Sequence, residues 1–320
     1  MSAVPPSSVA GPALDVTIAG IRFPTPVLAA AGPLGFGREV RGFVDLGAYG
    51  GFVTKSVTLQ PRRGHPRPDM VGVAGGWLNA LGLPNPGVAG FIYRDLPFLR
   101  TLGIPIVVSV AGKTVEEFRR IVEVLEGEEG VAAVELNISC PNVRSGRLFG
   151  SDPAPAAGLV AAVRPLTRRP LFVKLGPLTA DIAAVGRAAA DAGADALCCV
   201  NTLPGLAIDV ETRRPRLGAG PGGLSGPPLR PLAVWSVWRV ARSIPVPVIG
   251  VGGVRTWEDA VEFLLAGAWA VAVASAAADP EVPQRITSGL RDYMRRHGLA
   301  DVGALVGRVE GLEGVEADGT

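Results

Sequence analysis

The chain is poor in the side chains from which most metal and disulfide sites are made. Of 320 residues only three are cysteine (Cys140, Cys198, Cys199) and two are histidine (His65, His297). Cys198 and Cys199 are adjacent in an apolar run, so on a strand they point to opposite faces. That leaves no disulfide framework and no CxxC metal pair, and it fits a reducing, cytoplasmic setting. His65 sits in a loop rich in Pro, Gly and Arg, and His297 at a late helix end, so neither is expected as a ligand or a catalytic base. Strong charge is missing as well: a net charge of +2 gives no nucleic-acid footprint. The short Arg-rich pieces at 61–63 and 212–216 read as solvated loop charges or as contacts to a small anion or partner. No apolar run approaches the ~20 residues that a membrane span needs. The first 14 residues lack the basic and apolar regions of a signal peptide and the amphipathic face of an interfacial helix.

What is present is a rhythm. Hydrophobic residues make up 48% of the chain and charged residues 19%, the balance of a globular protein. Residues 14–18 and 21–23 flank Ala19-Gly20 as a short hairpin that could close one end of a barrel. Apolar strand candidates then recur at 27–31, 52–56, 106–110, 133–139, 171–175, 196–201, 248–251 and 270–275. Helical patterns lie between most of them, among others at 114–125, 152–163, 179–192 and 256–266. The last begins with Thr256 and the acids Glu258 and Asp259, an N-cap and dipole arrangement, while Gly193 and Gly267 supply helix stops. Eight apolar strands, each followed by a helix, predict a parallel sheet covered by helices, and eight is the number that closes. The fold expected is therefore α/β, a (β/α)8 TIM barrel with an N-terminal β-hairpin. An open doubly wound sheet would want a glycine fingerprint after its first strand; the stretch 31–37 imitates one, but Pro33 interrupts it.

In such a barrel chemistry gathers at the C-terminal ends of the strands. Those ends carry Ala31, Lys55, Ser56, Ser109, Asn137, Cys140, Lys174, Asn201, Thr202, Gly252, Gly253, Ala274 and Ser275. Alternation along 134–139 turns Val134, Leu136 and Ile138 one way and Glu135, Asn137 and Ser139 the other, a polar inner face. Just beyond, Cys140-Pro141-Asn142 breaks the strand, and a thiol on a loop above a barrel is a candidate acid or base. Lys174 alternates inward too. A buried ammonium is strongly penalised unless paired, so it meets either Glu135 on the next strand or an electron-rich ligand in the mouth. Ala31 and Ser109 leave room for something flat, and Gly252-Gly253 after strand seven with Ala274-Ser275-Ala276 after strand eight suit a phosphate held on backbone N–H groups. A planar group with a phosphate tail beside a lysine and a thiol suggests flavin mononucleotide. Two insertions, 60–86 and 203–228, are long and glycine-rich enough to serve as lids or substrate clamps.

Specific stretches then carry a resemblance: 54–58, 79–87, 135–143, 173–175, 201–202, 223–226 and Gly252-Gly253. Together they resemble class 1 dihydroorotate dehydrogenases, most of all the catalytic subunit of the class 1B, NAD-linked type. The likeness runs from about Leu14 to Val309. It implies a single flavin-binding barrel domain over 14–309 between tails at 1–13 and 310–320. It implies Cys140 as the base that takes the C5 proton of dihydroorotate while FMN takes the hydride from C6. Lys55, Asn79, Ala80, Leu81, Gly82, Leu83, Asn137, Asn201 and Thr202 match substrate contacts. Ala31, Lys55, Ser56, Ser109, Asn137, Lys174, Val200, Gly226, Gly252, Gly253, Ala274 and Ser275 match positions around the flavin and its phosphate. No metal site is implied. Relatives commonly have serine, asparagine and glycine where this chain has Ala31, Ser109 and Ala274, all at flavin positions.

The class 1B likeness also implies a homodimer joined to a partner subunit carrying FAD and a [2Fe-2S] cluster, through which electrons reach NAD. Three cysteines, one assigned to catalysis, are too few for this chain to hold such a cluster. The rival readings are a fumarate-linked class 1A enzyme, a dihydropyrimidine dehydrogenase-like flavoenzyme, a sugar-phosphate isomerase or aldolase, and a silent barrel serving as a scaffold.

Overall fold

The computed structural model describes residues 11–139, 149–312 and 314–315. Cys140 and the turn expected at 141–143 lie outside the described residues, as does much of both expected tails.

Short apolar runs become strands here because both of their faces are buried. Every residue of Ile106–Val110, Ala133–Asn137 and Leu171–Leu175 is buried, so alternation is replaced by continuous hydrophobicity on the outer face. The chain opens with the expected antiparallel hairpin, β1 (Val16–Ile18) and β2 (Ile21–Phe23). Buried Phe23 lies against Gly51 at the start of a barrel strand, where a Cβ would come within 2.8 Å of its ring. The hairpin therefore covers the N-terminal end of the barrel. Next come β3 (Val27–Ala29) and β4 (Gly51–Val53), and an insertion supplies β5 (Met70–Val73) and β6 (Gly76–Asn79). Then follow β7 (Ile106–Val110), β8 (Ala133–Asn137), β9 (Leu171–Leu175) and β10 (Ala196–Cys199). A second insertion supplies β11 (Leu203–Gly205), β12 (Ile208–Asp209), β13 (Arg214–Pro215) and β14 (Gly222–Ser225). The last two are β15 (Val248–Val251) and β16 (Ala268–Val273).

Eight strands close in chain order, β3-β4-β7-β8-β9-β10-β15-β16 and back to β3, all parallel. This is the (β/α)8 barrel expected. Several strands stop short of their expected ends: Lys55 and Ser56 follow β4, and Asn201 follows β10, already in the loops of the mouth.

The helices are α1 (Gly87–Gly90), α2 (Leu96–Leu99), α3 (Val115–Glu126), α4 (Pro153–Val163), α5 (Ile182–Asp191), α6 (Arg230–Ser243), α7 (Trp257–Ala266) and α8 (Val282–Arg296). The expectation of a helix after every strand fails once. Between β3 and β4 the crossover is made by short 3-10 turns at Arg38–Val40 and Leu46–Ala48; Gly35, Gly37 and Gly42 take left-handed φ values that no helix continues. Elsewhere caps set the boundaries. Thr114 accepts from the Glu117 amide at the start of α3. The helix expected from 179 begins later because the Asp181 carboxylate accepts from the Ala183 and Ala184 amides. Helix α3 buries Phe118, Ile121, Val122 and Leu125, an i, i+3, i+4, i+7 stripe. Each such side chain contributes about 1.5–3 kcal/mol.

The two insertions do not form separate lids. They join in one four-stranded antiparallel sheet, ordered β11-β14-β6-β5. Gly223 pairs with Asn79, and Leu224 stands between Leu78 and Leu203.

Candidate active site

The mouth is organised by a line of polar side chains running from β7 to the end of β10. Ser109 and Ser56 hydroxyls meet at 3.0 Å, and Asn137 Nδ2 donates to Ser56 Oγ at 3.0 Å. Asn201 Nδ2 donates to Asn137 Oδ1 at 3.2 Å and to Ser139 Oγ at 2.9 Å, while Asn201 Oδ1 accepts from the Thr202 amide at 2.9 Å. Asn137 thus sits at the centre, its amide orientation fixed from both sides. Buried polar groups that are satisfied in this way rigidify a site. Ser109 is fully buried and spends its hydroxyl on Ser56, so the contribution of β7 is to hold Ser56, which in turn holds Asn137. The residue before Cys140 is part of the line, and the Gly150 amide returns to the Ile138 carbonyl at 3.0 Å. Ser139 and Gly150, on either side of the undescribed residues, are therefore each tied to the end of β8 or β10.

The first insertion presents its stretch 79–83 beside this line. Asn79 Nδ2 donates to the Gly223 carbonyl at 3.2 Å, and at Gly223 a Cβ would come within 2.1 Å of Thr202 Oγ1. Glycine at 223 is what lets Asn79, Thr202 and β14 share one place. His65, set aside as an ordinary loop residue, clamps the stretch from behind. Its amide donates to the Leu81 carbonyl, Nδ1 lies 3.1 Å from the Ala80 carbonyl, and its ring fills the space that a side chain at Gly82 would need. Gly82 and Leu83 both have positive φ, 73° and 55°. Buried Asn85 fastens the far end: Nδ2 donates to Leu83 O and Thr58 Oγ1, and Oδ1 accepts from the Thr58 and Gly87 amides. Lys55 is half-buried, and burial lowers its pKa below the usual lysine range, with Glu39 and Asp69 pulling the other way.

Across the mouth the backbone does the work. Gly226, Gly252 and Gly253 have φ of 98°, 131° and 79°. A Cβ at Gly253 would lie 3.0 Å from the Gly226 carbonyl and from the Arg230 amide, so these loops pack backbone to backbone. Asp259 orders the glycine loop. Its Oδ2 accepts from the Arg255 and Thr256 amides at 2.8 and 3.0 Å, and its Oδ1 from the Arg230 guanidinium. Thr256 closes the capping box at the Asp259 amide. Ala274 and Ser275 open the short turn Ser275–Ala278 on the neighbouring strand end, and Ala31 follows β3, where the Ala30 amide donates to the Val273 carbonyl. Val200 is buried and its amide donates to Val251 O. The expected site residues outside the undescribed stretch thus come together at the C-terminal ends of the strands. A groove at the opposite pole, lined by Trp238, Arg242, Pro247, Leu265 and Trp269, shares no residue with them.

Inside the barrel, Lys174 is only 5% exposed and stands level with Asn137 and Cys198 on the adjacent strands. Among the described residues no ion pair or hydrogen bond holds its ammonium, so the pairing with Glu135 left open by the sequence is not made.

The family model for dihydroorotate dehydrogenase matches residues 13–294. The chain belongs to the dihydroorotate dehydrogenase family. Relatives include the protein named dihydroorotate dehydrogenase B (NAD(+)), catalytic subunit, from Geobacter sulfurreducens, 47% identical over 93% of this chain and 99% of the relative. Proteins of the same name from Geotalea uraniireducens and Desulforudis audaxviator are 46% and 47% identical, over 92% and 91% of this chain and 98% and 96% of theirs. This family of dehydrogenases depends on a flavin, and the mouth fits one on its own evidence. Lys174, 5% exposed, has no ion pair or hydrogen bond among the described residues, and glycine loops expose backbone where a Cβ would collide. Among the described residues of this family member no three His, Cys, Asp or Glu side chains gather for a metal, and no helix is long and apolar enough to cross a membrane.

Proposed function

We propose that this chain oxidises dihydroorotate to orotate for pyrimidine biosynthesis, with FMN in the mouth of the barrel and Cys140 as general base. The observation that carries the reading is Lys174, 5% exposed and held by no ion pair or hydrogen bond among the described residues, beside the bonded Ser56–Asn137–Asn201 line. A charge that the protein leaves uncompensated is one that a ligand compensates.

FMN, when bound, supplies the acceptor for the two electrons released by the substrate. Lys174 would meet its electron-rich edge, with Ser56, Asn137 and Val200 beside it; backbone groups at Gly226, Gly252, Gly253, Ala274 and Ser275 would hold the phosphate, and Ala31 leaves the entry open. Lys55 and Asn79 to Leu83 would orient the planar anionic substrate together with Asn137, Asn201 and Thr202. Asn137 accepts from Asn201 and donates to Ser56, so its amide is held without freedom to rotate, which favours a single substrate pose. Cys140 removes the C5 proton as the thiolate. A free thiol ionises near ~8.5, so turnover rises with pH until that group has lost its proton.

The "catalytic subunit" in the relatives' names supports a second subunit. We assign to it the FAD and the [2Fe-2S] cluster, with NAD as final acceptor, in a heterotetramer built on a dimer of this chain in the cytoplasm. Anaerobic titration of the purified chain with dihydroorotate tests the core of the reading. Bleaching of the flavin band at one equivalent per site is expected; a flavin-loaded protein that dihydroorotate leaves yellow refutes it. Rapid reoxidation by fumarate without a partner would overturn the NAD-linked assignment alone.

A further inference from the structure

Past Ala80, the stretch given above to the substrate is bonded to the protein through its carbonyls. The Ala80 carbonyl lies 3.1 Å from His65 Nδ1, the Leu81 carbonyl accepts from the His65 amide at 2.9 Å, and the Leu83 carbonyl accepts from Asn85 Nδ2 at 2.8 Å. The amides of Leu81, Gly82 and Leu83 donate to nothing among the described residues. Acceptors are thus spent on the protein and successive N–H groups are kept back, an arrangement that suits an anion. The stretch does not hold this form unaided. Gly82 and Leu83 have φ of 73° and 55°, and a leucine in that region is strained and stays there only where its surroundings fix it.

The segment 62–68, which supplies His65, is itself held at both ends. Arg62 exchanges two backbone bonds with Asn85, at 2.9 and 3.0 Å, and the Gly218 amide of the second insertion donates to the Pro68 carbonyl at 2.8 Å. The two stretches also lie in close contact: a Cβ at Gly64 would come within 2.7 Å of the Leu81 carbonyl, and one at Gly82 within 2.6 Å of His65 Cδ2. A carbonyl only accepts, so Nδ1 carries the proton of the ring and donates it to Ala80. The ring therefore does two things at once. Its Nδ1–H fixes the Ala80 carbonyl, and its carbon edge backs Gly82. Asn85 holds Leu83 from the far end, and among the described residues His65 is the one side chain bonded to 80–82.

We infer that His65 is a positioning residue for the substrate: by fixing the Ala80 carbonyl and backing Gly82, it keeps the 81–83 amides free to meet an anionic ligand. This rests on the reading above that 79–83 receives the substrate. His65 acts through that stretch, so its loss lowers the fraction of chains in which the stretch has the binding form. Apparent affinity falls by that fraction, and the rate of the bound complex stands.

The test measures KM and kcat for dihydroorotate with an artificial electron acceptor, orotate Kd and FMN content. It compares the flavin-loaded full chain with His65→Ala, His65→Leu and His65→Asn. His65→Ala should raise KM and Kd about tenfold, with kcat within about twofold of wild type and FMN retained. His65→Asn, whose side-chain N–H takes the place of Nδ1–H, restores most of the affinity. His65→Leu fills space without a donor and does not. An unchanged KM in His65→Ala overturns the inference, and so does a loss of kcat at unchanged KM. Equal recovery by Leu and Asn makes the residue mere filling and overturns it as well. If His65→Ala does not fold, the same comparison of Leu with Asn decides. A wild-type flavin that dihydroorotate leaves oxidised removes the substrate reading and this inference with it, a result visible before any variant is made.

Discussion

The wall formed by β8, β9 and β10 and the wall formed by β15, β16 and β3 are cut from similar apolar sequence, yet they face the interior differently. The first turns Glu135, Asn137, Lys174 and Cys198 inward; in the same registers the second offers Ile249, Val251, Ala270, Ala272 and Leu28. Above the first wall the loops present Asn201 and Thr202, and above the second they present Gly252, Gly253 and Ala274. One side of the mouth presents polar side chains. The other offers close-packed backbone, which suits a phosphate and needs no specific side chain. Ala31 and Ala274 fall on the backbone side, where a small residue keeps the N–H groups within reach.

The sharpest way to break this contrast is at the thiol. Cys140→Ala should slow flavin reduction by dihydroorotate about 10²–10⁴-fold in anaerobic stopped-flow work, with substrate binding retained; a loss below tenfold removes Cys140 from the mechanism. Asn137→Ala should come next. It strands the amide or hydroxyl partners at Ser56, Ser139 and Asn201 and should cost about 1–3 kcal/mol in denaturant unfolding, together with weaker orotate binding. On the backbone side, Gly253→Ala must place a Cβ at positive φ against the Gly226 carbonyl. Roughly tenfold weaker FMN binding is expected, with kcat for the loaded enzyme little changed, and equal damage to both would erase the distinction between the walls.

Lys55 gives a pH test. Burial, its largest perturbation, places its folded-state pKa below the unfolded one, so in the window between them the folded chain binds fewer protons and stability rises with pH. Over that same window the ammonium is lost, and affinity for the anionic substrate falls as pH rises. Lys55→Met should abolish that fall; orotate binding by the variant that keeps the wild-type pH profile assigns the titration elsewhere. The smallest effect expected is at Thr256→Ala, about 1 kcal/mol of stability from the lost cap with flavin binding near wild type.

Much of the barrel was legible because it is written locally. Both faces of each strand are buried, so the strands read as unbroken apolar runs, and Thr114, Asp181 and Thr256 mark helix starts by their own side chains. The missing helix between β3 and β4 is legible too, in Gly35, Gly37 and Gly42, which outweigh the eightfold pattern there. Other features depend on partners far along the chain. His65 looked idle because its contacts are carbonyls of another loop, and Asn85 was passed over although it ties Thr58 to Gly87. Neither residue type nor spacing announces such a bond. The Glu135–Lys174 alternative is not decided by alternation, which gives the face but not the level.

The sheet shared by the two insertions has a consequence for how this enzyme can be altered. Asn79 and Gly223 are 144 positions apart and bonded to each other. A loop borrowed from a relative at either place would arrive without its mate, leaving strand edges unpaired. Grafts that exchange both segments together should be tolerated where single exchanges are not, and the pair is the unit by which a new specificity would be installed.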